Sequence, residues 1–356
     1  MDFKSQFISV IRNSRIFRYY MLFKNRKKWI YSLRSHFSSL SDKGLKDLFK
    51  KFRYVWIKYK IGPGDFYMLH CEDKSMEQIS ELLAYWDFYA SLCLRVNSSK
   101  VRNVVDDKYN SYVFFQKYYG RRALRITLLE IDNGIGLEKL KAFVGKTDQS
   151  YIIKPLNMSS GKGIKVMSSI PEILEYVKML RRDVIIEELI IQDESLAEFN
   201  NSSVNTLRIN TANYDNGEVD ILWPCLRIRR AGSIVDNAGS GGIFAAIDVT
   251  TGKTIAASDE SRNVWKVHPD SKCELIGYSI PRWQEAVELV KELANVIPDA
   301  GFVGWDLALT KQGWVMIEAN SGPLIIYQIA VNRGLRAEFC EVKKKFISVS
   351  RQKRRK

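Results

Sequence analysis

The most constraining feature of the sequence is a pair of alternating apolar segments near its C-terminal end, Gly301–Thr310 and Gly313–Ala319. Their period of two and the short polar connection between them predict a β-hairpin. Asp306 falls on the first strand, while Glu318 and Asn320 share one face of the second, so the hairpin places all three together. Two carboxylates and an amide oxygen form the hard oxygen site that Mg²⁺ prefers, although a solvated polar strand face has the same pattern.

The rest of the chain divides into a helical front and a body of mixed structure. Residues 1–95 are predicted to be mostly helical, including a helix from Met76 to Val96. From about residue 100, short β-rich segments alternate with single helices, which predicts an α+β fold. We expect strands at 151–155, 164–167, 184–186 and 204–211, and helices starting at Ser169 and Pro281.

The net charge of +15 is concentrated at the two ends of the 356-residue chain. Residues 1–60 contain sixteen Lys/Arg and three Asp, and residues 351–356 add five basic side chains. Such a surface is either a solvated helical face or a binding surface for an anionic partner, such as phospholipid head groups or a glycan. Nucleic acid is a weaker alternative, because none of its recognition motifs is present.

Composition excludes several other classes of protein. No segment is apolar enough to span a membrane or act as an N-terminal signal. The five cysteines are widely spaced and form no Cys/His cluster, which argues against a disulfide framework and structural zinc. We therefore expect a cytoplasmic protein.

Two further segments have the composition of a nucleotide site. Lys154 ends a predicted strand and precedes a Ser/Gly loop in which Lys162 lies between Gly161 and Gly163. Such glycines let backbone N–H groups approach a phosphate, although an ordinary turn has the same pattern. In the second segment, Ile185–Ile190, a buried strand ends in acidic residues. Such a strand end either recognises the edge of an adenine ring or is a strand end exposed to solvent.

Taken in order, these segments resemble the ATP-grasp superfamily, and more closely its sugar-transfer-associated family, akin to the ATP-grasp proteins of teichuronopeptide and capsule biosynthesis. The similarity extends from about Tyr59 to Tyr327. Its motifs are Tyr59–Gly62, Asp65–Tyr67, Ser203–Ile209, Val235–Ile243, Lys266–Pro269, Ile280–Trp283, Gly304–Asp306 and Ile317–Pro323.

The resemblance implies two α+β subdomains that sandwich ATP, and it assigns residues to roles. ATP would contact Lys108, Lys154, Ser160, Gly161, Lys162, Gly163, Glu187, Glu188, Leu189, Ile190 and Glu194, with Asp193 as an alternative ribose contact. Mg²⁺ would be held by Asp306, Glu318 and Asn320, and catalysis would use Arg208 and Lys162. Substrate would contact Asn205, Arg227, Asn237, Gly241, Gly242 and His268.

The activity implied is ATP-dependent amide formation between a carboxylate and an amine through an acylphosphate. An amino acid or amine would be joined to a uronic-acid sugar, which is either a nucleotide sugar or a lipid-linked glycan. The resemblance implies that this reaction belongs to capsule or O-antigen-type polysaccharide synthesis. The alternatives are an ATP-grasp kinase acting on a sugar or glycan, and a non-catalytic nucleotide-binding protein at the membrane surface. Peripheral contact with an anionic membrane is expected only of the basic ends.

The predicted organisation has three parts. Residues 1–95 form the basic helical region, residues 96–340 the ATP-grasp domain and residues 341–356 a basic tail. Within the domain, we expect a mobile ATP-lid subdomain at about 140–190 and a metal and substrate subdomain at about 191–340.

Overall fold

The computed structural model describes residue 11 and residues 14–144, 149–156, 158, 162–230, 242–323 and 325–353, with backbone alone for 350–353. Its helices and strands confirm the predicted α+β fold and the mostly helical N-terminal region. No helix in the described ranges is both long enough and apolar enough to cross a membrane.

The N-terminal region is built on two long helices. Helix α1 (Arg15–His36) and helix α2 (Asp42–Tyr59) begin at the serine caps Ser14 and Ser41, whose hydroxyls accept backbone N–H groups. Trp29 of α1 packs edge-on against Trp56 of α2, with ring centroids 4.8 Å apart. Trp29 is therefore part of the core between these helices.

A series of short helices then leads into the body. These are α3 (Pro63–Met68), α4 (Met76–Glu81), α5 (Tyr85–Phe88), a π-helical turn (Tyr89–Cys93), α6 (Leu94–Val96), α7 (Ser99–Val105), α8 (Lys108–Phe114) and α9 (Gln116–Tyr119).

The single helix predicted from Met76 to Val96 is wrong, because the chain becomes extended after Glu81. The side chain of Gln328 accepts a hydrogen bond from the Leu83 N–H (2.8 Å) and donates one to the Leu83 carbonyl (3.0 Å). These bonds satisfy the backbone of Leu83 outside a helix, and they come from a residue 245 positions away.

The smaller sheet is antiparallel, with strand order β1-β4-β2-β3. Helices α10, α11 and α12 pack with it around a separate apolar core. Ser169 caps α12 as expected. The elements are β1 (Ala123–Ile126), α10 (Leu128–Asp132), α11 (Ile135–Phe143), β2 (Tyr151–Pro155), β3 (Lys165–Met167), α12 (Ile170–Leu180) and β4 (Val184–Glu188).

The larger sheet is also antiparallel, with order β10-β9-β5-β6-β7-β8. One face packs against α14 and α7–α9, and the other against the N-terminal helices, α15 and α16. The elements are α13 (Glu194–Ala197), β5 (Thr206–Asn213), β6 (Val219–Ile228), β7 (Ile243–Ile247), β8 (Thr254–Asp259), α14 (Trp283–Val296), β9 (Phe302–Thr310), β10 (Gly313–Asn320), α15 (Ile326–Val331) and α16 (Arg336–Lys353).

The last helix includes most of the segment predicted as a basic tail. Val342 and Val349 of α16 are buried against the helical side of the larger sheet. The structure therefore describes residues 341–353 as part of a packed helix, while residues 354–356 lie outside the described ranges. The other predicted domain boundaries stay predictions.

Candidate active site

A cleft of about 1640 Å³ is lined by residues from both sheets. Strands β2, β3 and β4 of the smaller sheet line it together with β5, β6, β9 and β10 of the larger one. Seven Lys/Arg side chains line the cleft, namely Lys108, Arg121, Lys154, Lys162, Arg208, Arg227 and Arg229. Such a concentration of cations suits a ligand with several negative charges.

The predicted hairpin positions the acidic side of the cleft. Strands β9 and β10 pair antiparallel, with Glu318 opposite Asp306 and Asn320 opposite Gly304. The Asn320 side-chain N–H₂ group lies 3.5 Å from a Glu318 carboxylate oxygen. Burial raises the pKa of Glu318, and the charge of the neighbouring Asp306 raises it further.

Asp306 is held by an arginine from the adjacent strand β5. Both of its carboxylate oxygens accept hydrogen bonds from Arg208, at 2.5 and 2.6 Å, and Arg227 of β6 lies 3.5 Å from one of them. Burial opposes ionisation of Asp306, but the positive charges of Arg208 and then Arg227 outweigh it and hold the pKa below its ordinary value.

These residues fit a divalent cation. The Asp306 and Glu318 carboxylates lie opposite each other and both line the cleft, with the amide of Asn320 beside Glu318. Oxygen ligands of this kind suit Mg²⁺. Asp306, Glu318 and Asn320 are therefore the residues that would hold it.

The acidic end of β4 is an ion-paired centre. Glu187 is buried, and its carboxylate pairs with Lys154 of β2 at 2.8 Å and accepts a hydrogen bond from Nε of Arg121 at 2.7 Å. Burial opposes its ionisation, but Arg121 and Lys154 lower its pKa to about 2. Arg121 also donates to the Met316 carbonyl at 2.8 Å, which connects the end of β4 to β10 of the other sheet.

Around this centre, apolar side chains and the end of strand β4 line the cleft together. Glu188, Leu189 and Ile190, for which the sequence predicts contact with ATP, line the cleft, and Glu188 is paired with Arg122. Further apolar side chains from both sheets face the same space, namely Ile152, Leu156, Ile164, Val166, Ile191 and Ile317. This combination suits a flat heteroaromatic ring.

Lys108 and Lys162 of the glycine loop also line the cleft. Lys108 begins α8, donates to the Met158 carbonyl at 2.8 Å, and has a pKa lowered by burial. Lys162 is exposed and lines the cleft. Gly163 has φ of +70° and its carbonyl accepts from the Tyr176 hydroxyl at 2.8 Å, so its contribution is to the shape of the loop.

The structure does not bring every predicted residue to the cleft. Glu194 is exposed beside Lys311, and Asp193 caps α13, so neither lines the cleft. Gly163 and Gly242 are also absent from the lining residues. Ser160, Gly161, Asn237 and Gly241 lie outside the described residues.

Asn205 and His268 are buried under the cleft wall, where they hold the backbone of Arg229. The Asn205 side-chain oxygen accepts from the Arg229 N–H at 3.3 Å. The Nε2 atom of His268 lies 3.1 Å from the Arg229 carbonyl oxygen, while its Nδ1 accepts from the Ser271 N–H. Predicted as substrate contacts, both residues instead contact this segment of protein, because they are too deeply buried to reach a ligand.

The lining residues that the sequence analysis missed include the charged residues Arg229, Arg121 and Glu260. Arg229 follows Arg227 at the spacing of two that places both on one face of an extended chain, and this signal was available. Arg121 follows Gly120, a left-handed position where a Cβ atom would lie 2.7 Å from Val315, and it belongs to no motif. Glu260 lies directly after β8 and also has no motif.

The two sheets and the cleft between them match the ATP-grasp architecture that the sequence predicts. The sugar-transfer associated ATP-grasp family model matches residues 168–344, which confirms the resemblance seen in the sequence. A comparison with curated protein sequences gave no match.

Solved structures give a more distant similarity. An ADP complex of N5-carboxyaminoimidazole ribonucleotide synthetase is 14% identical, with TM-score 0.42 and coverage of 64% of this chain and 48% of that one. Carboxyaminoimidazole ribonucleotide synthase from Aspergillus clavatus with ATP is 17% identical (TM-score 0.37; 62% and 45% covered). D-alanine–D-alanine ligase from Bacillus anthracis with ATP is 15% identical (0.40; 71% and 68%). The chain thus spans less than half of the first two proteins.

Proposed function

We propose that the protein is an ATP-dependent carboxylate–amine ligase. ATP would lie in the cleft with its base among the apolar side chains beside Leu189 and Ile190, and its phosphates among the lysines. Mg²⁺ at Asp306, Glu318 and Asn320 would neutralise phosphate charge. One observation carries the proposal. The Arg208–Asp306 pair lines the same cleft as the proposed metal ligands, Arg227 and Arg229.

In the proposed reaction, a substrate carboxylate oxygen attacks the γ-phosphorus and ADP leaves, which gives an acylphosphate. The amine then attacks the acyl carbon, the C–O bond to phosphate breaks, and inorganic phosphate leaves with the amine's proton passing to a base. Arg208 and Lys162 would stabilise the charge on the transferring phosphoryl group. Arg227 and Arg229 would bind the carboxylate substrate, because their guanidinium groups attract its negative charge.

Glu260 supports an amine as the second substrate. It lines the cleft near Arg227, and among the described residues it has no hydrogen-bond or ion-pair partner. Burial raises its pKa, while Arg227 opposes this. A carboxylate in this position would bind an ammonium group and accept its proton before attack on the acylphosphate.

The proposed substrates are a uronic-acid sugar, as a nucleotide sugar or lipid-linked glycan, and an amino acid or other amine, in polysaccharide synthesis of the capsule or O-antigen type. The sugar-transfer association of the family supports this choice. The proposed location is the cytoplasm, with contact at the inner face of the membrane. Three buried cysteines without disulfides are compatible with a reducing compartment.

An ADP-release screen over uronic-acid donors and amines tests the proposal. We expect release to require both substrates, with an amide identified by mass spectrometry. Release with one phosphorylated hydroxyl product would instead identify a kinase, and no turnover with intact ATP binding would identify a non-catalytic protein.

Glu260→Gln separates the two half-reactions. Hydroxylamine is neutral at pH 7, so it should trap the acylphosphate as a hydroxamate in the variant as in the wild type. The KM for a natural ammonium substrate should rise at least about tenfold. Equal loss of both reactions would remove Glu260 from the amine site.

A further inference from the structure

Helix α1 has a stripe of large apolar side chains on its solvent side. Phe23 is 85% exposed, Ile16 83% and Tyr31 76%, while Tyr20 and Tyr19 are about half exposed. Ile16, Tyr20, Phe23 and Tyr31 are spaced by three, four or eight residues, so they lie along one face, which Lys27 shares between Phe23 and Tyr31. Exposed apolar side chains grouped in this way mark an interaction site.

The opposite side of α1 is already packed. Leu22 and Leu33 are buried, Trp29 contacts Trp56, and the Arg18 carbonyl accepts from the Trp56 indole N–H at 2.9 Å. The exposed stripe therefore does not arise from an undocked helix.

Basic side chains lie within the stripe and beside it. Lys24, Arg26, Lys27 and Lys28 are all exposed, and the Lys24 ammonium lies 5.7 Å from the centre of the Tyr20 ring. From Arg15 to His36 the helix contains no acidic residue. An apolar strip with aromatic residues and flanking cations is complementary to the boundary between anionic head groups and acyl chains.

We propose that α1 docks in the plane of an anionic phospholipid bilayer, with Phe23 and Ile16 inserted at the head-group boundary and the flanking lysines and Arg26 on lipid phosphates. The surface is separate from the ATP cleft, whose lining includes no residue of α1. The inference does not depend on the proposed reaction.

The test is sedimentation of the full chain with vesicles of phosphatidylcholine alone or with about 30% phosphatidylglycerol added, a composition with strong negative surface charge. We expect binding to the anionic vesicles only. Ile16→Ser/Phe23→Ser should weaken it at least about tenfold, because two large apolar side chains no longer leave water.

Leu129→Ser/Met179→Ser is the matched control, since both residues are exposed apolar positions on other helices. It should bind like the wild type. Lys24→Gln/Lys27→Gln/Lys28→Gln should lose about a hundredfold in affinity and most of its salt dependence.

A residual wild-type affinity at about 0.5 M salt, where charge is screened within a few ångströms, should disappear in the Ile16/Phe23 variant. Equal vesicle binding by wild type and that variant would overturn the proposal. So would an absence of vesicle binding together with self-association, by analytical ultracentrifugation, that the same variant abolishes, because the stripe would then face a second copy.

Discussion

Arg208 holds both carboxylate oxygens of Asp306, and Asp306 lies directly opposite Glu318 on the paired strand. Arg208 and Arg227 thus stand beside two neighbouring carboxylates on strands of a single sheet. Burial and the neighbouring charge of Asp306 raise the pKa of Glu318, while the positive charge of Arg208 opposes this. A cation bound there would complete the charge balance.

The first prediction concerns Glu318. Glu318→Gln keeps the shape of the side chain but removes the negative charge that the proposed metal site requires. Turnover should fall at least about a hundredfold, while the thermal unfolding temperature stays within a few degrees of the wild type. Steady-state ADP release and calorimetry measure the two effects.

Glu288→Gln is its control, because it makes the same chemical change at an exposed position of α14 outside the cleft. It should leave turnover unchanged. Wild-type turnover in Glu318→Gln would remove this residue from the proposed site.

The second prediction concerns the buried pair of Glu187 with Arg121 and Lys154. Glu187→Gln leaves two buried cations without their counter-charge and should lower the free energy of unfolding by about 3 kcal/mol. Glu188→Gln is the matched control, since its partner Arg122 is 58% exposed, and it should cost less than about 1 kcal/mol. Urea denaturation at pH 7 measures both.

The pH dependence of this effect has a defined sign. The folded-state pKa of Glu187 is about 2, below its ordinary value of 4.5. Its ion pairs therefore stabilise the protein above about pH 4.5, and this stabilisation is lost as the pH falls toward 2. The difference between wild type and Glu187→Gln should shrink over that interval, and a constant difference would contradict the assignment.

The sequence was sufficient where a local pattern sets the geometry. The period of two in β9 and β10 predicted the hairpin that brings Asp306 near Glu318, but Glu318 lies directly opposite Asp306 because the register shifts between Met316 and Glu318, which the alternation did not indicate. The sequence was insufficient where contacts with residues far away along the chain determine the local structure. Gln328 binds the backbone of Leu83, just beyond the helix that ends at Glu81, from 245 positions away, and Arg121 reaches Glu187 and Met316 across 66 and 195 positions.

Burial is the other property that the sequence did not reveal. His268 and Asn205 belong to motifs of the family, yet their side chains hold the backbone of Arg229 and do not line the cleft. A motif shows that a polar side chain is present. The packing of the fold decides whether that side chain is buried against other protein groups or lines the cleft.

The third prediction concerns the segment 157–163, of which the structure describes Met158, Lys162 and Gly163. The Met158 carbonyl accepts from Lys108, and the Gly163 carbonyl accepts from Tyr176. If the segment covers the phosphates of ATP, amide hydrogen exchange at 157–163 should slow at least about tenfold with a non-hydrolysable ATP analogue. Unchanged exchange at saturating analogue would exclude a lid there, and peptides from α14 serve as the internal control.

The fourth prediction concerns Asp65 of α3, which lies beside a small cavity lined mainly by apolar side chains, including Leu83, Ile325 and Ile329. Its carboxylate accepts one hydrogen bond, from the Tyr85 N–H at 3.1 Å. Burial raises its pKa from 3.8 to about 6, and the hydrogen bond from Tyr85 opposes this. The folded state therefore binds this proton more tightly than the unfolded chain does.

It follows that the contribution of Asp65 is most favourable below about pH 4 and is lost as the pH rises through about 6. Asp65→Asn removes the charge and keeps the acceptor oxygen. It should be nearly neutral at pH 4 and should stabilise the protein by about 1–2 kcal/mol at pH 8, a value reduced because Asp65 keeps some solvent exposure. Urea denaturation at the two pH values measures this, with Asp132→Asn as an exposed control. An equal effect at both pH values would show that Asp65 does not titrate in this interval.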